Sequence, residues 1–166
     1  MAKISPDDPL LPSVLDRLID DDPQSSVESP RSRAQLLRDL KQSVRRDLES
    51  LLNTRWRCSS WPPDLDQLDS SLVNYGTPDF SGVNMGSPAA REELRLVLEK
   101  IIRRFEPRFK RVNVKLVAGA EDGRPDRTLR FQIDGLLHAE PAPEPVQYDT
   151  EVETPTGEVH VGDISR

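Results

Sequence analysis

Residues 87–117 read SPAAREELRLVLEKIIRRFEPRFKRVNVKLV, and two periodicities meet inside this one stretch. Leu94, Val97, Leu98, Ile101, Ile102 and Phe105 recur every three or four residues, the spacing of one helix face. Ser87 is placed to cap that helix and Pro88 to occupy its first position, where a missing N–H costs nothing. Glu92 and Glu93 fall in the first turns, where negative charge is favoured. Pro107 ends the helix, because the residue before a proline is pushed out of helical geometry. Directly afterwards the period drops to two: Val112, Val114 and Leu116 alternate with Asn113 and Lys115, as in a strand with one buried face. A helix feeding a strand through Glu106-Pro107-Arg108 is therefore the centre of the fold.

Downstream, Leu129, Phe131 and Ile133 alternate with Arg130, Gln132 and Asp134, which gives a second strand across the loop AGAEDGRPDR. A third strand is expected over Val146 to Val152 and a weak fourth over Gly157 to Val161. Upstream, Leu37, Leu40, Val44, Leu48 and Leu51 form the apolar face of a long amphipathic helix. Its expected start is Ser29 as N-cap with Pro30 at N1, and its expected end lies near Asn53 to Arg55. A first short helix is expected over Leu10 to Asp22, with Pro12 in its first turn and a stripe of Val14, Leu15, Leu18 and Ile19. Between the long helices, Leu65, Leu68, Leu72 and Val73 suggest one short helix, and NYGTPDFSGVNMGSP is dense in turn-forming residues. Helices first and strands afterwards predict an α+β fold: about three or four N-terminal helices, then an antiparallel sheet of about three or four strands. The expected organisation is a short helix and linker over 1–30, an α+β core over 31–138, and an acidic strand and tail over 139–166.

Composition narrows the function. The chain has 166 residues, 23 Lys and Arg against 29 Asp and Glu, a net charge of −6 and 35% hydrophobic residues. That size suits one ordinary domain and excludes a large barrel enzyme or a long repeat array. The N-terminal MAKISPDDPLLPS has no apolar core, so no secretory signal is expected. The apolar runs are too short to span a membrane. A single cysteine, Cys58, permits no internal disulfide and fits a cytoplasmic setting. Charge is segregated: KIIRRFEPRFKR at 100–111 is strongly basic, whereas residues 139–166 are strongly acidic. The basic run reads as the end of a helix whose dipole it complements. Without a basic face interleaved with aromatics, nucleic-acid binding is not expected.

No motif carries catalysis or cofactor binding. His138 and His160 match no metal-ligand spacing. The glycines form neither a phosphate loop nor a dinucleotide fingerprint. Cys58 has no histidine nearby in sequence and GxSxG is absent. Glu92, Glu93, Glu106 and Asp79 are conceivable acid pairs for a glycosidase, yet no spacing singles any of them out. Glu106-Pro107-Arg108 stands out as two opposite charges flanking a proline. Residues two apart do not face each other on a helix, so the two are not expected to pair locally. The arginine fork is then free for a carboxylate or backbone carbonyls of a partner, against the simpler reading of a helix stop. Trp56, Arg57 and Trp61 are a second candidate interface, being the residue types that dominate binding hot spots, or else a cover over the core.

LLPSVLDRLIDDDP, LLRDLKQSVRRDLESLLNTR, SSLVNYGTPDFSG and RRFEPRFKRVNVKL occur in this order. Together, over about residues 10–137, they resemble the TssE family of type VI secretion baseplate components, itself similar to the small wedge protein of contractile-phage baseplates. The resemblance implies a structural protein, not an enzyme, with no cofactor and no metal. Its implied partners are the TssF, TssG and TssK baseplate proteins and the TssB/TssC sheath, whose polymerisation the family seeds. The implied location is a cytoplasmic baseplate docked at the inner membrane, without insertion into it. It also implies a partner-binding role for Glu106, Pro107 and Arg108. On the residues themselves, the C-terminal strands, Val146 to Val152 above all, are the expected edge for pairing with the sheath. Two other readings remain: a peptidoglycan-cleaving lysozyme-like enzyme, and a soluble adaptor that uses the same fold to bind one partner.

Overall fold

The computed structural model describes residues 13–19, 24, 32–56, 62, 64–65, 67–68, 71–79, 87–117, 128–139, 142–153 and 156–163. Arg57, Cys58, Trp61, the 80–86 stretch and the 118–127 loop lie outside the described residues. So do 25–31 and the expected flanks of the first helix, 10–12 and 20–22. The order is α1 (Val14–Leu18), α2 (Arg33–Asn53), a 3-10 turn (Leu72–Asn74), α3 (Pro88–Phe105), then β1 (Phe109–Val117), β2 (Thr128–Leu137), β3 (Glu144–Glu153) and β4 (Val159–Asp163). Helices followed by a four-stranded antiparallel sheet of order β1-β2-β3-β4 make this an α+β fold.

The sheet's register explains its core. Val114 lies opposite Ile133, and Ile133 opposite Tyr148. Leu116, Phe131, Thr150 and Val161 form the next cross-strand row, and Leu129, Val152 and Val159 the one after. Such directly opposed pairs are the stabilising unit of a sheet. Every row points to the face covered by the helices, where α3 lies over β1, α2 over β4, and the helices meet each other. Val44, Leu48, Leu52, Leu94, Leu98 and Ile102 close the core from above. The opposite face is polar, with Lys115 bridged to Asp134 at 2.6 Å and Arg130 to Glu151 at 3.0 Å. One buried and one wet face is what an alternating pattern encodes.

Several boundaries differ from the sequence expectation. The N-cap of α2 is Ser32, not Ser29: its hydroxyl accepts from Gln35 N while Gln35 Oε1 accepts from Ser32 N. That reciprocal box satisfies two orphan donors at once, which Pro30 at N1 does not offer. Ser87 and Pro88 do start α3. Of the short helix expected over 65–73, the described residues show bonds between residues three apart, Leu65 N to Pro62 O, Leu68 N to Leu65 O, Ser71 N to Leu68 O and Asn74 N to Ser71 O, and the 3-10 turn Leu72–Asn74. The Ser71 hydroxyl donates to Leu68 O, and Leu72 and Val73 remain exposed.

Two corrections concern function. The α1 stripe does not pack on the core: Val14, Leu15, Leu18 and Ile19 are 75, 55, 75 and 47% exposed. A polar contact holds α1 instead, described below. And β3 is an inner strand over most of its length: it bonds β2 from Glu144 to Glu153 and β4 from Tyr148 to Val152, so over Tyr148 to Val152 it has no free side for a foreign strand. Nor is the C-terminal part a dispensable tail, because Val146, Tyr148, Val152, Val159 and Val161 belong to the core.

A bulge between Phe109 and Arg111 turns Phe109 onto the helix face, where its ring fills the space above Gly135. A Cβ at 135 would lie 2.2 Å from the ring's Cε1. We expect Gly135→Ala to displace that ring and lower stability by about 1–3 kcal/mol, the usual cost of overpacking, read as a lower urea midpoint. A midpoint within error of the parent would show the ring to be free to move.

Candidate functional site

The sequence places Glu106, Pro107 and Arg108 at the switch from helix to strand, and the structure builds a closed ion cluster there. α3 ends at Phe105, and Glu106 is its C-cap, with its N–H donating to Ile102 O. The backbone leaves helical geometry at φ −117°, ψ 83°, so the rule that i and i+2 face apart no longer applies. Glu106 and Arg108 do pair, contrary to the expectation from the sequence. Arg108 Nε donates to Glu106 Oε1 at 2.7 Å, Nη2 to Glu106 Oε2 at 2.5 Å, and the Arg108 N–H adds a third bond at 3.1 Å. This is the two-pronged geometry that suits guanidinium to carboxylate.

The same fork reaches α2. Nη2 donates to Asp47 Oδ2 at 2.6 Å and Nη1 to Ser43 Oγ at 2.9 Å. Ser43 in turn donates to Asp16 Oδ2 at 2.7 Å, and Arg46 Nη2 to Asp16 Oδ1 at 2.7 Å and to Asp47 Oδ1 at 3.1 Å. Three acids and two arginines thus join α1, α2 and the α3–β1 turn. Glu106 is 5% exposed, while Pro107 is exposed. Burial alone would push the Arg108 guanidinium down, but its bonds to Glu106 and Asp47 outweigh that and raise it further above its ordinary value. Burial likewise works to raise Asp16, and hydrogen bonds from Ser13, Ser43 and Arg46 overcome it, holding the carboxyl at about 2. Arg108 is therefore not a free fork awaiting a partner; four of its bonds are to side chains of its own chain.

Asp47, Ser43, Asp16 and Arg46 were not among the sequence candidates. One signal was available: Ser43 and Asp47 are polar at i and i+4 on α2, beside its apolar stripe, and such a pair shares a face. Nothing local tells that this face meets residue 108.

The second candidate set is only partly described. Trp56 Nε1 donates to Gly76 O at 2.5 Å, and Trp56 N to Thr77 O at 3.0 Å. Thr77 N donates to Thr54 O at 2.8 Å, and Arg55 Nη1 to Leu52 O and to the Thr77 hydroxyl. Arg55 Nη2 also donates to Gly157 O. The NYGTP segment is thereby clamped onto the C-terminal end of α2. Gly76 is required there: its φ is +118°, and a Cβ would lie 2.5 Å from Thr54 O. Tyr75 packs edge-on against Phe105 with centroids 5.5 Å apart, which brings this segment beside the cluster.

Among the acids considered for hydrolysis, Glu106 is tied to Arg108 and Glu92 to Arg95 at 2.8 Å. The carboxyls of Asp16, Glu92 and Asp134 are all held below their ordinary values, opposite to the shift a general acid requires. Glu93 and Asp79 are exposed. Among the described residues, no three His, Cys, Asp or Glu side chains converge as for a metal, and no helix is long and apolar enough to cross a membrane.

The architecture is that of a small α+β module whose helix-to-strand turn is locked by ion pairs. Residues 38–142 match the family model described as baseplate wedge protein gp25. That span is more than half of the chain, and the chain belongs to this family. A chain of a solved structure, the baseplate complex from the type VI secretion system, is similar at 22% identity and a TM-score of 0.47, over 68% of this chain and 93% of that one. No curated protein matches.

Two outcomes follow from the cluster. Arg108→Ala strands Glu106 as a buried anion and is expected to cost about 3 kcal/mol, near the low end for a broken buried pair because Arg108 is partly exposed. Arg108→Lys, a point charge without the fork, should recover only part of it in chemical denaturation. A wild-type stability for Arg108→Ala would refute the latch. For Asp16, the folded value of about 2 lies below the ordinary 3.8, so its contribution is full above about pH 4 and fades as pH falls toward 2. The protection of the α1 amides, taken relative to the intrinsic exchange rate at each pH, should fall over that window while the sheet stays protected, and Asp16→Asn should show the reduced protection already at pH 7.

Proposed function

We propose that this protein is a baseplate component of the TssE kind in a type VI secretion system. It assembles into the wedge with TssF, TssG and TssK and helps to start polymerisation of the TssB/TssC sheath, at a cytoplasmic baseplate docked at the inner membrane. Family membership over residues 38–142 carries this reading, because the matched span contains α3, the Glu106-Pro107-Arg108 turn and the first two strands. A structural role in the baseplate follows from that membership; the individual partners and the sheath step extend it.

The geometry supports a division of labour at the partner-binding residues. Glu106 and Arg108 hold the turn from beneath, and Pro107 is presented on the surface. A partner would meet a preformed, rigid corner and would order nothing on binding, which saves the usual entropic cost. In this reading Arg108 contributes to the interface by fixing Pro107 and by lending charge through its partly exposed edge, rather than as an unpaired fork.

Affinity purification of the tagged full chain from its native cell, read by mass spectrometry, tests the assignment. It should recover TssF, TssG and TssK. Pro107→Glu alters only an exposed position, so its stability should stay within about 0.5 kcal/mol of the parent. Its recovery of wedge proteins should nevertheless fall by about tenfold, the effect of losing one good interface contact. Unchanged recovery with Pro107→Glu would remove this turn from the interface. Recovery of no baseplate protein from cells that express the system would overturn the assignment itself.

A further inference from the structure

A four-stranded sheet of order β1-β2-β3-β4 has two edges, β1 and β4, and each presents backbone groups to whatever lies beside it. In this fold a helix side chain occupies the middle of each edge. On β4, Val159 N donates to Asn53 Oδ1 at 2.9 Å, and Asn53 Nδ2 donates back to Val159 O at 2.8 Å. One side-chain amide thus reproduces both bonds that a peptide unit of a neighbouring strand would make. Arg45 Nη1 takes the next outward carbonyl, Val161 O, at 2.9 Å. On β1, the pair Arg95 and Glu99 does the same for Val114: Arg95 Nη1 donates to Val114 O at 3.1 Å, and Val114 N donates to Glu99 Oε2 at 3.4 Å. Arg95 and Glu99 are themselves bonded at 2.9 Å, which holds donor and acceptor at the spacing the strand needs.

The two edges carry opposite charge. β1 contains Lys110, Arg111 and Lys115 and no acid. β4 itself contains Asp163 as well as His160, Glu158 comes just before it, and the neighbouring β3 adds exposed Asp149, Glu151 and Glu153, of which Glu151 is bonded to Arg130. Two β1 edges would repel each other, as would two acidic ones. A β1 edge and a β4 edge from different copies attract. Joining unlike edges is a head-to-tail contact, which does not close and propagates into a filament.

We propose that Asn53 and the Arg95–Glu99 pair are plugs that mimic a strand, and that they keep β4 of one copy of this chain from pairing with β1 of the next. The occupant each plug excludes is a second copy, selected by opposite charge along the edges. The proposal rests on the edge bonds and on the charge of the two strands, and stands or falls apart from the baseplate reading.

The test uses the full chain and the double variant Asn53→Ala, Glu99→Ala in sedimentation velocity over about 1–100 μM, the range in which exposed edges associate. The parent should stay a single small species. The variant, while retaining its helical circular dichroism, should form larger species whose proportion rises with concentration. Adding Lys110→Glu and Arg111→Glu, or raising the salt, should reverse it, since the attraction is screened. A folded double variant that remains one small species throughout overturns the proposal, as does a parent that assembles equally. Should the double variant fail to fold, Asn53→Leu with Glu99→Met, which removes both sets of hydrogen-bonding groups at similar side-chain volume, is read in the same way. In addition, amide exchange of Val159 in Asn53→Ala should rise by at least about tenfold while Val152 is unchanged; full protection of Val159 would show that Asn53 is no plug.

Discussion

A buried glutamate at the end of a helix is an expensive object, and the rest of this fold is arranged to neutralise it. Glu106 is almost sealed from water and sits at the negative end of the α3 dipole, where an anion is disfavoured. Arg108 makes the position tenable, and it can do so only if the chain turns sharply between them. Pro107 restricts the backbone at that point, and the turn aims β1 under α3. Because the same guanidinium also bonds Asp47 and Ser43, the position of α2 is set by the same group. A well-packed hydrophobic contact is often as stable as a buried ion pair, since desolvation offsets most of the gain from pairing. What it would lack is direction: a fork with three bonded nitrogens accepts one arrangement of α2, α3 and β1, whereas Leu and Val faces tolerate several.

This explains what was legible in the sequence and what was not. Periodicity reports on residues that share a face, so the stripes of α2 and α3 and the alternation in β1, β2 and β3 were readable, and with them the α+β class. Pairwise chemistry between distant segments leaves no period. The Asp47–Arg108 bond joins residues far apart in the chain, and only the unusual Glu-Pro-Arg triplet marked one end of it. The reading that Glu106 and Arg108 stay apart failed because a helical rule was applied one residue beyond the helix. Choosing Ser29 over Ser32 failed for a related reason: both look like caps, and the deciding contact is the Gln35 side chain reaching back. Which strand forms an edge is a property of the whole sheet order, and a strand's own pattern does not contain it.

The first helix inverts the usual logic of an amphipathic segment. Its apolar residues face outward and its aspartate faces in, bonded to Ser43 and Arg46. Docking of α1 is thus electrostatic, sensitive to salt and to acid in a way that the core is not. It also ties α1 to the same cluster that holds the α3–β1 turn. A change at Arg108 is therefore felt at α1 through Ser43, one hydroxyl that accepts from Arg108 and donates to Asp16. Polar networks of this sort respond as a unit, so substitutions within it should not be additive.

The family match ends at residue 142, before β3 begins, yet the fold does not. β3 and β4 supply Tyr148, Val152, Val159 and Val161 to the core, and the Tyr148 hydroxyl donates to Lys41 O on α2. Without them β2 would become an edge, with Phe131 and Ile133 left half covered. The outer face of the sheet carries both signs: Arg130 of β2 meets Glu151 of β3, and Lys115 of β1 meets Asp134 of β2. The segregation of charge along the chain, basic in 100–111 and acidic after 139, leaves an asymmetry between the two ends of the sheet. An asymmetric sheet whose ends differ in charge needs some means of staying single, and the helices that build its core also furnish the side chains that cover its edges.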